Sequence, residues 1–125
     1  MKSIDPEIHV ACAIIWKDNR ILLSKRAEDS DFCGLWEFPG GKFRLDESPS
    51  ECLARELFEE LGIVPLEQQY MFRLVWDYGD RRLCLWIFEV FQFDGEPQSC
   101  EGQAIEWFDQ NGLRDLNFPE ANGPI

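Results

Sequence analysis

The chain has 125 residues, 45% apolar and 14% aromatic, and a formal net charge of −12. That composition supports one domain, residues 1–125, with its own core, and excludes a disordered chain. The acidic balance disfavours long nucleic-acid polymers, whose binding depends on lysine and arginine neutralising phosphates. It leaves a free nucleotide open, because a bound metal bridges acidic protein and acidic phosphate.

No apolar run approaches the roughly 18–20 residues of a membrane span. The start, MKSIDPEIHV, has no apolar stretch of the secretory type, so the expectation is a cytoplasmic protein. Cys12, Cys33, Cys52, Cys84 and Cys100 form no CxxC pair, and their number is odd. That spacing argues against a zinc site or a disulfide framework. Cys12, Cys52 and Cys84 read as small buried hydrophobes, and His9, the lone histidine, as an ordinary strand residue.

Residues 8–16, IHVACAIIW, read as a strand apolar on both faces and therefore central. Asp18-Asn19 signals a turn into a second strand at residues 20–25, forming a hairpin. Residues 27–36 read as a polar loop, followed by EFPGGK, with Pro39-Gly40-Gly41 as a turn, and then a helix at residues 49–61. That helix has Ser48 as N-cap, Pro49 at N1, Glu51 completing a capping box and Gly62 as its stop. Pro65 follows as a breaker. Strands are expected at residues 67–77 and 82–93 around a Tyr78-Gly79-Asp80 turn, then a loop at 94–103 and a short strand at 104–108. The tail, 109–125, reads as loop with a helical turn near residues 110–113. Strands outnumber helices and no βα unit repeats, so periodicity supports a mixed α+β domain.

Along the helix, Glu56, Glu59 and Glu60 share a face by their i, i+3 and i+4 spacing. Ala54, Leu57, Phe58 and Leu61 are expected to face the core. The carboxylates are poorly placed for helix stability alone. Glu56 and Glu60 repel at i,i+4, costing about 0.2–0.5 kcal/mol, and the last turn is the wrong end of the dipole for anions. A divalent cation with oxygen ligands removes both penalties.

The stretch at residues 41–63, GKFRLDESPSECLARELFEELGI, resembles the signature of the Nudix hydrolases, G-x5-E-x7-R-E-U-x-E-E-x-G-U with U apolar. Its fixed places fall on Gly41, Glu47, Arg55, Glu56, Glu59, Glu60 and Gly62. A chance match is on the order of 10⁻⁸ per start position. The resemblance implies an α/β/α sandwich, a mixed sheet between helices, with the signature as a loop–helix–loop. It implies that Glu56, Glu59 and Glu60 form a metal face for Mg²⁺ (with Mn²⁺ possible), joined by the Gly40 carbonyl and by Glu101 from the following loop. Glu56 is then a ligand or the general base. Arg55 orients the glutamates, and Glu47 supports them.

The resemblance extends to SKRAEDSDFCGLWEFPGGK, DRRLCLWIFEV, GEPQSCEGQAIEW and FPEANGPI, which look like the MutT-type branch of the family along nearly the whole chain. That branch hydrolyses oxidised purine nucleoside triphosphates, chiefly 8-oxo-dGTP, to monophosphate and pyrophosphate, and so avoids mutation. By position, Arg26, Glu37, Phe38 and Asn122 would line the nucleotide site, with Lys42 as a phosphate contact. An amide such as Asn122 offers both donor and acceptor to a purine edge. The implied partner is a small-molecule nucleoside triphosphate and the implied state a monomer. The alternatives are a pyrophosphohydrolase for CTP or modified pyrimidine nucleotides, or a non-hydrolysing nucleotide sensor, against which the intact glutamates argue. Relatives that act on ADP-ribose usually carry a proline after the signature; residues 66–96 contain none.

Overall fold

The computed structural model describes residues 7–25, 36–77, 79, 81–109 and 111–112. Arg26, Asn122, residues 27–35 of the loop expected at 27–36, Tyr78 and Asp80 of the expected turn, and most of the tail lie outside them. Among the described residues, the strands and the main helix run in the order β1 (Glu7–Lys17), β2 (Arg20–Lys25), β3 (Trp36–Glu37), β4 (Gly40–Lys42), α1 (Pro49–Leu61), β5 (Val64–Pro65), β6 (Gln69–Asp77), β7 (Arg82–Val90), β8 (Phe93–Asp94) and β9 (Ala104–Phe108).

β1 is the central strand. It pairs in parallel with β7 along nearly its whole length, from Glu7↔Arg82 to Ile15↔Val90, and β6 completes that side antiparallel to β7. On its other side β1 takes two partners. The hairpin to β2, turned by Asp18 and Asn19 at φ 53° and 64°, pairs at Trp16↔Ile21 and Lys17↔Arg20. Near its start β1 pairs instead with β4, at Val10↔Lys42 to Cys12↔Gly40. β2 goes on to pair with β3 and β9. The mixed sheet therefore forks, and β4 fills the fork on one side.

Side chains alternate between faces along each strand, and this sorts the core into two layers. Ala11, Ala13, Ile15, Leu22, Phe88 and Val90 meet Cys52, Leu53, Leu57 and Leu61 of α1. Cys12, Ile21, Leu23, Phe38, Leu85 and Ile87 form the opposite layer. The two alanines of β1 leave room for the leucines of α1, which are fully buried. Each such leucine contributes about 1.5–3 kcal/mol of burial. The capping box is formed: Ser48 Oγ accepts from the Glu51 N–H at 3.1 Å, and Glu51 Oε1 accepts from the Ser48 N–H at 2.9 Å. Gly62, at φ 71°, ends the helix and donates to the Phe58 carbonyl.

Three expectations need correction. Phe58 does not face the core; it is 62% exposed. At about 100° per residue, Leu53, Leu57 and Leu61 define the buried stripe, with Glu56 about 60° to one side and Phe58 about 60° to the other. β4 covers the Glu56 side. The strand expected at 82–93 ends at Val90, and Phe93–Asp94 leaves the sheet to pair with Val64–Pro65. The stretch around the expected Pro39-Gly40-Gly41 turn is not only turn and loop: Trp36–Glu37 and Gly40–Lys42 form β3 and β4, strands too short for periodicity to reveal. Among the described residues α1 is the only helix long enough to form a layer, and none is long and apolar enough to cross a membrane.

Candidate active site

At the fork lies an open cavity of about 410 Å³ lined by Ser24, Lys25, Glu37, Gly40, Gly41, Lys42, Glu56, Glu60, Glu101 and Gln103. Each lining group arrives from a different part of the fold. β2 supplies Ser24 and Lys25, β3 supplies Glu37, and β4 supplies Gly40 to Lys42. The helix supplies Glu56 and Glu60, and the loop before β9 supplies Glu101 and Gln103.

The glycines of β4 permit this approach. Gly40 has φ 154°, and a Cβ there would overlap the Ala11 carbonyl. A Cβ on Gly41 would overlap the Glu56 carboxylate, so glycine lets that carboxylate keep its present position against the strand. β4 is held by Ala13 N–H donating to the Pro39 carbonyl at 2.8 Å and Phe43 N–H donating to the His9 carbonyl at 2.9 Å.

Glu60 is the most perturbed carboxylate of the group. Burial first, then its hydrogen bond to Glu56 and the charge of Glu56, then the charges of Glu101 and Glu37, push it up to about 9. Four carboxylates thus converge on one small volume, and the electrostatic field there favours a cation or a proton. Next to it, burial above all, then the charge of Glu37, pushes the Cys12 thiol up.

Arg55 stands behind this cluster, with its side chain only 17% exposed. Its Nε and Nη2 donate to the two Glu47 oxygens at 2.6 and 2.9 Å, a bidentate pair. Nη1 donates to Glu56 at 2.8 Å and to Glu59 at 3.1 Å, and Nη2 also donates to the Lys42 carbonyl at 2.9 Å. One guanidinium therefore ties the signature loop, β4 and the helix together. The Arg55 hydrogen bonds, aided by the Arg44 N–H, hold the Glu47 carboxyl down at about 2. Glu59 is not on the cavity lining. It lies between Arg55 and Arg44, the latter 3.3 Å away.

Of the residues singled out in the sequence, Gly40, Lys42, Glu37, Glu56, Glu60 and Glu101 are brought together on the cavity. Arg55 and Glu59 form the adjoining network. Phe38 is 7% exposed and packs in the core layer with Cys12, Ile21, Leu23, Leu85 and Ile87. Sequence reasoning missed Ser24, Lys25 and Gln103. Ser24 carried a signal, as a hydroxyl inside the otherwise apolar RILLSK, and it is 4% exposed. Gln103 carried none beyond its nearness to Glu101.

A second group, Glu7, His9 and Cys84, brings ligand atoms within 4.8 Å of one another. Its chemistry is poor for a metal. Trp86 Nε1–H donates to His9 Nδ1 at 3.1 Å, which leaves the proton on Nε2, facing Glu7 at 3.4 Å. Burial also raises the Cys84 thiol, away from the thiolate that metals bind.

Comparison with known proteins bears on what such a cavity does. A family model described as NUDIX domain matches residues 6–125. An 8-oxo-dGTP diphosphatase of Escherichia coli is 38% identical over 120 residues, covering 95% of this chain and 93% of that protein. A CTP pyrophosphohydrolase of Escherichia coli is 43% identical over 118 residues, covering 94% and 86%. A solved MutT structure, from work on the Aliivibrio salmonicida and Vibrio cholerae proteins, superposes with a TM-score of 0.84 at 38% identity, covering 94% and 92%.

Proposed function

This chain belongs to the NUDIX domain family and is a Nudix hydrolase, and from that footing we propose that it cleaves 8-oxo-dGTP to 8-oxo-dGMP and pyrophosphate, clearing oxidised purine nucleotides from the cytoplasmic pool. The observation that carries this reading is the convergence of Glu37, Glu56, Glu60 and Glu101 beside the Gly40–Gly41 backbone. The identity to the 8-oxo-dGTP diphosphatase over nearly the full length of both chains supports the substrate. The protein acts as a monomer on a small molecule.

The donor set fits a hard dication. Carboxylate oxygens and a backbone carbonyl suit Mg²⁺ or Mn²⁺ and not a thiophilic metal. Glu56, Glu60, Glu101 and the Gly40 carbonyl would hold it, with Glu59 at the outer edge. When bound, such an ion neutralises phosphoryl oxygens and acidifies water.

The remaining work falls to the chain's own groups. Arg55 fixes the Glu56 carboxylate through a 2.8 Å bond, so that it either ligates or receives the proton of the attacking water. Lys42 and Lys25, both on the cavity lining, present ammonium groups to the polyphosphate. Gly40 and Gly41 let that polyphosphate come against the backbone. Water attack then breaks the phosphoanhydride bond between the α and β phosphates, giving the monophosphate and pyrophosphate with their charge compensated. Arg26 and Asn122, outside the described residues, are the proposed readers of the base.

A second reading, CTP as substrate, is favoured by the 43% identity to the CTP pyrophosphohydrolase. Turnover of 8-oxo-dGTP, dGTP and CTP with Mg²⁺, scored as kcat/KM and as pyrophosphate against orthophosphate, separates the two. The proposal expects pyrophosphate and a preference for 8-oxo-dGTP of at least tenfold. Comparable or faster turnover of CTP would replace it with the second reading. Release of orthophosphate would contradict both.

A further inference from the structure

The loop carrying Glu101 is clamped onto the end of α1, and one side chain links the helix backbone to the backbone of Glu101. Gln103 Nε2–H donates to the Glu60 carbonyl at 3.1 Å. Its Oε1 accepts from the Glu101 N–H at 3.0 Å. The Ser99 hydroxyl donates to the Gln103 carbonyl and lies 3.1 Å from Gln103 Oε1. Gly102, at φ 78°, turns the backbone so that the amide can reach back past Glu101. A single amide thus spans from the backbone of one cavity carboxylate, Glu60, to the backbone of another, Glu101.

Two further bonds dock the same loop. Cys100 N–H also donates to the Glu60 carbonyl, at 3.0 Å, and Gln98 N–H donates to the Leu61 carbonyl at 2.9 Å. These satisfy carbonyls that a helix end leaves without partners. They keep the loop attached if Gln103 is changed. What they do not do is contact Glu101 itself. Glu101 is exposed, and its N–H bond to Gln103 is what ties its backbone to the helix.

We propose that Gln103 is a positioning residue: it sets Glu101 opposite Glu60 and so tightens the cation position that the two share. This rests on the cation reading of the cavity given above. Gln103 touches neither substrate nor ion in this scheme and acts only through Glu101. A Gln103 that merely capped the helix would lend the same stability whether or not Glu101 were a carboxylate.

The test is a double-mutant cycle read by Mn²⁺ binding to the nucleotide-free protein, with Mn²⁺ alone as the probe. Gln103→Leu is expected to weaken Mn²⁺ about tenfold, equivalent to about 1.4 kcal/mol. Glu101→Gln is expected to weaken it at least as much. In the Glu101→Gln background, Gln103→Leu should then change the Kd by less than twofold. Faster hydrogen exchange at the Glu101 amide in Gln103→Leu is the second readout expected. Equal loss in both backgrounds, or an unchanged Kd in Gln103→Leu, overturns the proposal while the cation site stands. Failure of the unmodified protein to bind Mn²⁺ overturns the cation reading as well. If Gln103→Leu does not fold, Gln103→Asn, one methylene too short to reach Glu60, takes its place in the same cycle and must show the same pattern.

Discussion

Replacing Gly41 with alanine adds one methyl group directly against the Glu56 carboxylate. The nearest carboxylate atom, Cδ, is 2.2 Å from the new Cβ position, whereas ordinary contact begins at 3.4 Å. The carboxylate must therefore retreat by about 1.2 Å. It cannot do so and keep its 2.8 Å bond from Arg55. Because the displaced atoms end a flexible side chain, the fold should absorb the change with a loss of about 1 kcal/mol or less. Catalysis should not, since a misplacement of about 1 Å costs about 10²-fold. The assay is Mg²⁺-dependent pyrophosphate release from 8-oxo-dGTP, alongside thermal melting. A kcat within threefold of the unmodified protein would refute the reasoning, because Glu56 would then not need its present position.

The Arg55 fork and the ionisation of Glu60 offer further tests. Arg55→Lys keeps the charge but cannot serve Glu47, Glu56, Glu59 and the Lys42 carbonyl together; kcat should fall about 10²-fold and Tm should drop, as read by turnover and melting. In the metal-free protein Glu60 holds its proton until about pH 9, against 4.5 for a free glutamate. Between those values the native state binds more protons than the unfolded one, so Tm should fall as pH rises from about 5 to 9, and Glu60→Gln should flatten that decline. Glu47 acts in the opposite sense: its carboxyl, held at about 2, lends stability that is lost as pH drops from about 4.5 to 2, which melting of Glu47→Gln should show.

Helix α1 is legible in the sequence because its signals are local. Ser48, Pro49, Glu51 and Gly62 each act within one turn of their own position, and the observed bounds and caps match them. β1 and β7 are legible because both faces are buried and the apolar runs show it. What escapes is set by contacts distant in the chain. Phe58 and Leu53 are both apolar, and only the position of the sheet decides that Leu53 is buried and Phe58 exposed. β4 exists because β1 leaves a vacant edge where β2 diverges, and β3 because β2 leaves one in turn, and no property of those residues alone announces it. The carboxylates of the cavity are legible by type and spacing, whereas their division is not. Glu56 and Glu60 lie along one edge of the buried stripe and enter the cavity; Glu59, one position before Glu60, turns to Arg44 and Arg55. Gln103 is silent in sequence because its role depends on a loop folding back onto the helix end.

The most direct test of a cation site built on a protonated, crowded carboxylate is calorimetric titration of the nucleotide-free protein with Mn²⁺ at pH 7, in two buffers of different ionisation enthalpy. With Glu60 poised near 9, binding should release about one proton per protein, and Glu60→Gln should abolish the release and weaken binding at least tenfold. Binding without proton release, or binding untouched by Glu60→Gln, would contradict the account.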